Sequence, residues 1–251
     1  MKKLMAANWK MYKTVEEGVQ TATELMQLLG SNGFQDREVL LCPSFTMLGA
    51  VGPILSKVPG CFLGAQNFYP ADQGAFTGEI APEQLLALGC TYALAGHSER
   101  RHVLGEPDEF IGQKVVFGLN SGLNMILCIG ETIAERQAGK VEEVLARQLK
   151  MGLADALSMA TAKTLAVAYE PVWAIGTGEV AGPAEIVAAH AFVRAQLVSL
   201  LPEYGQKIRI LYGGSVKPDN AGTIIHLDNV DGVLVGGASL QAKSFSQIVL
   251  A

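Results

Sequence analysis

Residues 164–182 read TLAVAYEPVWAIGTGEVAG. Five apolar residues, Leu165 to Tyr169, end abruptly on Glu170 and Pro171. That length suits a strand, and a proline just past it ends the run. The run is continuous rather than alternating, so both faces of the strand are covered. Parallel strands sandwiched between helices have this character. The stretch after Pro171 is apolar and rich in glycine, too long for a tight turn and unsuited to a helix.

Seven further runs share this pattern: LMAANW (4–9), EVLLCPS (38–44), CFLGAQN (61–67), YALAGH (92–97), NMILCIG (124–130), KIRILYG (207–213) and DGVLVGG (231–237). Amphipathic stretches lie between them. TVEEGVQTATELMQLLG (14–30) has a capping threonine, early acids and a closing glycine. VEEVLARQLKMGLADAL (141–157) and GPAEIVAAHAFVRAQLVSL (182–200) carry apolar residues at three- and four-residue spacing. In the last, Gly182 caps, Pro183 suits the first helical position and Glu185 favours the positive end of the helix. Strand and helix therefore alternate about eight times, at roughly 30 residues per unit. The pattern points to an α/β fold of the (β/α)8 barrel kind, with an open doubly wound sheet as the rival. No linker-like segment divides the chain, so residues 1–251 are expected to form one domain.

The composition excludes several classes. The chain has 251 residues, 49% hydrophobic and 17% charged, which is globular rather than disordered. Its net charge of −5 and lack of a basic cluster argue against nucleic acid as a partner. No stretch is long enough to span a membrane, and the apolar start is broken at Asn8 and Lys10, too soon for a signal-peptide core. Cys42, Cys61, Cys90 and Cys128 form no C-x-x-C pair and lie in or beside apolar runs, as buried thiols in a reducing compartment would. A cytoplasmic location is expected.

In either α/β architecture, function gathers at the carboxyl ends of the strands. Strand one ends at Asn8 and Lys10; the lysine reads as a surface charge or as an ammonium aimed at an anionic substrate. Strand four ends LAGHSERRH, placing His97 at a helix start, where the dipole favours a neutral imidazole that can donate to an oxyanion. The alternative is a histidine that merely caps the turn. His97, Glu99 and His102 do not have the H-E-x-x-H order of a metal site, so no metal is expected. Glu170 ends strand six; dried by an apolar surround, a carboxylate there suits a base that takes a proton from carbon. The loop beyond it reads either as a mobile lid or as an ordinary connection. YGGSV (212–216) and VGGASL (235–240) place two Gly-Gly turns on the last two strands, the second leading into a short helix. Such turns bring backbone N–H groups to a phosphate. Residues 176–181 fit a relaxed G-x-G-x-x-A pattern, but no strand runs directly into the glycines and no acid ends a following strand, so no dinucleotide cofactor is expected.

These blocks, with GAQN (64–67), GAFTGE (74–79) and CIGE (128–131), resemble the triosephosphate isomerase family from end to end and in its order. The resemblance implies a TIM barrel that interconverts dihydroxyacetone phosphate and D-glyceraldehyde 3-phosphate through an enediolate, in glycolysis and gluconeogenesis, without cofactor or metal. It implies Glu170 as the base, His97 as the neutral electrophile and Lys10 as the positive charge. Asn8, Lys10, Gly176, Ser215, Gly236 and Gly237 would bind substrate, and Glu99 would support Lys10. Pro171, Val172, Trp173, Ala174, Ile175, Gly176, Thr177, Gly178, Glu179, Val180 and Ala181 would form the lid. It also implies a homodimer in which Thr77 reaches the partner's active site. Two positions depart from the family pattern. Ala81 replaces a frequent serine that would cap the following helix, and Glu179 replaces a frequent lysine in the lid, which bears on closing rates. Two rivals remain: a barrel enzyme acting on a larger phosphosugar, which would not need Lys10, His97 and Glu170 together, and a barrel that only binds, which would be expected to have lost one of them.

Overall fold

The computed structural model describes residues 1–32, 34, 36–175 and 181–251. Eight parallel strands run in chain order: β1 (Lys3–Asn8), β2 (Arg37–Cys42), β3 (Cys61–Ala65), β4 (Cys90–Ala95), β5 (Asn124–Ile129), β6 (Leu165–Tyr169), β7 (Arg209–Tyr212) and β8 (Gly232–Val235). Each overlaps a run read from the sequence. β8 pairs with β1, Leu4 opposite Gly232 and Ala7 opposite Val235, which closes the sheet. The fold is thus a (β/α)8 TIM barrel, and the open sheet is ruled out.

The unbroken apolar runs are explained by two separate cores. Successive strand side chains point to opposite faces. Leu4, Ala6, Leu40, Cys42, Leu94, Ile126, Cys128, Ala166, Ala168, Leu211 and Leu234 pack inside the barrel. Their neighbours in sequence, such as Met5, Ala7, Leu41, Ala95, Leu127 and Val167, pack outward against helices. Near the amino-terminal end of the strands, Arg209 pairs with Glu38 at 2.6 Å. All four cysteines are free thiols, and burial pushes those of Cys61 and Cys90 up to about 12.

The helices are α1 (Val15–Asn32), α2 (Leu48–Leu55), α3 (Pro82–Ala87), α4 (Ser98–His102), α5 (Asp108–Asn120), α6 (Ile133–Gln137), α7 (Val141–Leu153), α8 (Pro183–Leu200), α9 (Pro218–Ile225) and α10 (Ala242–Val249). Thr14 and Glu17 cap α1 reciprocally: the Thr14 N–H donates to Glu17 Oε2 at 2.7 Å, and the Glu17 N–H to Thr14 Oγ1 at 3.4 Å. Gly30 does not end that helix as the sequence suggested. It does not take the left-handed conformation of a terminating glycine, and α1 continues to Asn32. α7 is shorter than the pattern implied, ending at Leu153. α3 lacks a side-chain cap at Ala81, but its N–H donates to Gln84 Oε1 at 2.9 Å, so half of the capping box survives. Among the described residues no helix is long and apolar enough to cross a membrane.

Candidate active site

Strand parity carries the polar residues to one end of the barrel. Glu170 continues the inward set of Ala166 and Ala168, Asn8 that of Leu4 and Ala6, and Gly236 that of Leu234. Glu170 is only 2% exposed. Its backbone N–H donates to the Ile129 carbonyl at 2.7 Å, so its stem belongs to the β5–β6 ladder. Pro171, which has no N–H to donate, then releases the chain into a 3₁₀ turn over Val172–Ala174. The carboxylate accepts from the Ser98 N–H at 2.8 Å through Oε2, and Oε1 lies 3.2 Å from His97 Nε2. Beneath it, burial first and then the charge of Glu170 push the Cys128 thiol well above its ordinary range, so it stays protonated.

His97 is the N-cap of α4, as the sequence indicated. Its Nδ1 accepts the Glu99 N–H at 3.3 Å. A nitrogen that accepts carries no proton, so the ring's single proton is assigned to Nε2, facing Glu170. Arg101 ties α4 to the barrel by donating to the carbonyls of Gly96, at 2.7 Å, and Cys128, at 3.0 Å. Glu99 projects to the other side, with Oε1 2.7 Å from Lys10 Nζ and Oε2 3.5 Å from His97 Nδ1.

A cavity of about 760 Å³ opens here, lined by Asn8, Lys10, His97 and Glu170 on one side and by Ser215, Gly236 and Gly237 on the other. Strand eight does lead into a short helical turn, Gly237–Leu240, although it is 3₁₀ rather than α. Two glycines have a second role that the phosphate reading does not include. A Cβ on Gly213 would lie 2.8 Å from Glu170 Cγ, and one on Gly236 would lie 3.1 Å from Lys10 Cε. Both distances are too short for comfort, so these glycines leave room for the base and for the ammonium.

A carboxylate, a neutral Nε2–H donor, an ammonium and glycine-lined turns share one mouth, so the site can move a proton and hold an anion. The Triosephosphate isomerase family model matches residues 3–251. The chain belongs to the triosephosphate isomerase family. It is 60% identical to the triosephosphate isomerase of Oleidesulfovibrio alaskensis (strain ATCC BAA-1058 / DSM 17464 / G20) and 58% identical to that of Nitratidesulfovibrio vulgaris (strain DP4), in each case over 251 residues and all of both chains. The crystal structure of triosephosphate isomerase from Bartonella henselae superposes with a TM-score of 0.89 at 38% identity, covering 99% of this chain and 98% of that one.

Within this triosephosphate isomerase barrel, the residues expected to form a lid divide. Pro171, Val172, Trp173, Ala174, Ile175 and Ala181 are described, and Ile175 lines the cavity. Gly176, Thr177, Gly178, Glu179 and Val180 lie outside the described residues, so the expected phosphate contact of Gly176 does too. Thr77 is exposed and does not line this chain's own cavity. Beside it, Phe76 stacks on Tyr69 with ring centroids 4.4 Å apart.

Two participants carried no assigned role in the sequence. The Ser98 N–H reaches Glu170 only through space. Glu131, fully buried, gathers side chains from the end of β6 and the segment after it: Oε1 accepts from Trp173 Nε1 at 2.8 Å and from the Tyr169 hydroxyl at 3.2 Å, and lies 3.4 Å from the Arg136 guanidinium. Its carbonyl accepts the Val172 N–H at 3.1 Å. The Arg136 guanidinium also covers the Trp173 ring at 4.6 Å. Burial, and then Glu131, raise the Tyr169 phenol well above its ordinary range, so it remains a donor. The block CIGE contains Glu131, but nothing local marks it as a hub.

Proposed function

We propose that this chain interconverts dihydroxyacetone phosphate and D-glyceraldehyde 3-phosphate by proton transfer through an enediolate. The observation that carries this reading is the His97 Nε2–Glu170 Oε1 contact at 3.2 Å, at the mouth of a cavity that also holds Lys10. Glu170 takes the proton from the carbon beside the carbonyl, and the electron pair moves onto the carbonyl oxygen. That oxygen takes the place of Glu170 Oε1 at the Nε2–H of His97, while Lys10 offsets the growing negative charge. Glu170 then returns the proton to the former carbonyl carbon, while by way of His97 Nε2 the former carbonyl oxygen gains a proton and the old hydroxyl oxygen gives one up, so that the old hydroxyl becomes the new carbonyl. A positioned base contributes about 10²–10⁴-fold, and one oxyanion donor about 10²–10³-fold. The substrate's phosphate, held by Ser215, Gly236, Gly237 and Gly176, supplies binding energy that stabilises the closed, dry site.

We read residues 1–251 as one catalytic domain, acting in the cytoplasm on the triose step of glycolysis and gluconeogenesis. The active form is a homodimer, with Thr77 of each subunit set against the other's site; sedimentation of a fully active monomer at micromolar concentration would contradict this. The decisive assay follows D-glyceraldehyde 3-phosphate to dihydroxyacetone phosphate with wild type beside Glu170→Gln. Fast wild-type turnover and a loss of several orders of magnitude in the variant are expected. A folded Glu170→Gln protein with near-normal turnover would remove Glu170 from the mechanism.

A further inference from the structure

Lys10 has a backbone φ of 51°, in the left-handed region that disfavours any residue with a Cβ. Such a conformation persists only where neighbours hold it. The Lys10 N–H donates to Asn8 Oδ1 at 3.0 Å, and its ammonium meets Glu99 at 2.7 Å. The third hold is on its carbonyl. Gln66 Nε2 donates to the Lys10 oxygen at 2.9 Å and to the Cys42 oxygen at 2.8 Å. Both hydrogens of that amide nitrogen are thus committed to carbonyls, which only an NH2 group can satisfy. Cys42 ends β2 and Gln66 directly follows β3, so the left-handed residue is pinned to two strands beyond its own. Gln66 does not line the cavity.

We propose that Gln66 is a positioning residue for Lys10. Its amide keeps residue 10 left-handed, so that the lysine side chain crosses Gly236 and presents its ammonium between Glu99 and the cavity. This rests on the isomerase reading above, in which that ammonium meets the enediolate. Without the amide, residue 10 relaxes toward negative φ and the ammonium swings away. Misplacement of a reacting group by about 1 Å costs up to about 10²-fold. A carboxylate at position 66 would oppose two carbonyls and should be worse than an apolar isostere.

The test is a cycle of wild type, Gln66→Met, Lys10→Met and the double variant. Turnover is measured together with calorimetric binding of 2-phosphoglycolate, whose carboxylate and phosphate imitate the enediolate and which needs no turnover to be read. Gln66→Met is expected to lower kcat/KM by about 10- to 100-fold. It should weaken 2-phosphoglycolate about tenfold when Lys10 is present, and less than about twofold when residue 10 is Met, while the loss of thermal stability from the two missing hydrogen bonds appears in both backgrounds. Equal weakening in both backgrounds, or none in either, overturns the proposal. Should Gln66→Met not fold, Gln66→Asn, which keeps an NH2 group on a stem too short to reach both carbonyls, takes its place in the cycle with the same criteria. A wild type that turns over neither triose phosphate defeats the functional reading itself. An active wild type whose two backgrounds respond alike defeats only the role of Gln66.

Discussion

His190 gives this fold a calculable sensitivity to acid. It lies on the inner face of α8, fully buried, with the rings of Tyr169 and Tyr212 at centroid distances of 5.9 and 6.4 Å. Its Nδ1 is 2.9 Å from the Asn229 carbonyl oxygen, which can only accept, so the neutral ring carries its proton there. Nε2 has no partner among the described residues. A second proton would sit on a buried nitrogen with nothing to receive it, and burial holds the imidazole down to about 4 from its ordinary 6.5. The unfolded chain takes up this proton as pH falls through about 6.5, whereas the fold refuses it until about 4. The contribution is therefore intact above about pH 6.5 and declines below it by about 1.4 kcal/mol per pH unit, reaching about 3 kcal/mol near pH 4. His190→Asn keeps an N–H for Asn229 and removes the titration; its lost volume costs the same at every pH. Urea unfolding of both proteins at one fixed concentration, from about pH 7 to about pH 4, isolates the effect as the difference between them. The wild type should lose about 3 kcal/mol more than the variant over that range. A constant difference would refute the argument, because it would mean that the orphaned nitrogen is either solvated or already paired.

Two other substitutions probe the site's supports. Gly213→Ala places a Cβ 2.8 Å from Glu170 Cγ and 3.2 Å from the Tyr169 carbonyl, so the base must move. Steady-state kinetics should show kcat down about 10²-fold, and unchanged kcat would show that the strand yields instead. Glu131→Gln removes the charge that strengthens the bonds from Trp173, Tyr169 and Arg136. Thermal unfolding should show a loss of about 2 kcal/mol, with a shift in Trp173 fluorescence; an unaltered melting curve would mean that the neutral amide serves as well.

Much of the architecture was legible in the chain, because each strand is buried on both faces and every second residue faces the barrel interior. Asn8 and Glu170 could be singled out since they are polar groups at the carboxyl ends of apolar strand runs, and His97 because it follows a small-residue turn at a helix start. The same local pattern serves an open sheet as well as a barrel, and only the pairing of Leu4 with Gly232 and Ala7 with Val235 decided between them. The tie between Ser98 and Glu170 spans 72 residues, and that between Gln66 and Lys10 spans 56. Neither leaves a periodic signature, and the same holds for the gathering of Trp173, Tyr169 and Arg136 on Glu131. A sequence records what each residue does to its own stretch of backbone and which way it faces. The distances between strand ends arise only when the barrel closes, so the kinds of chemistry at the mouth were determined by the sequence alone, and their partners were decided by the tertiary structure.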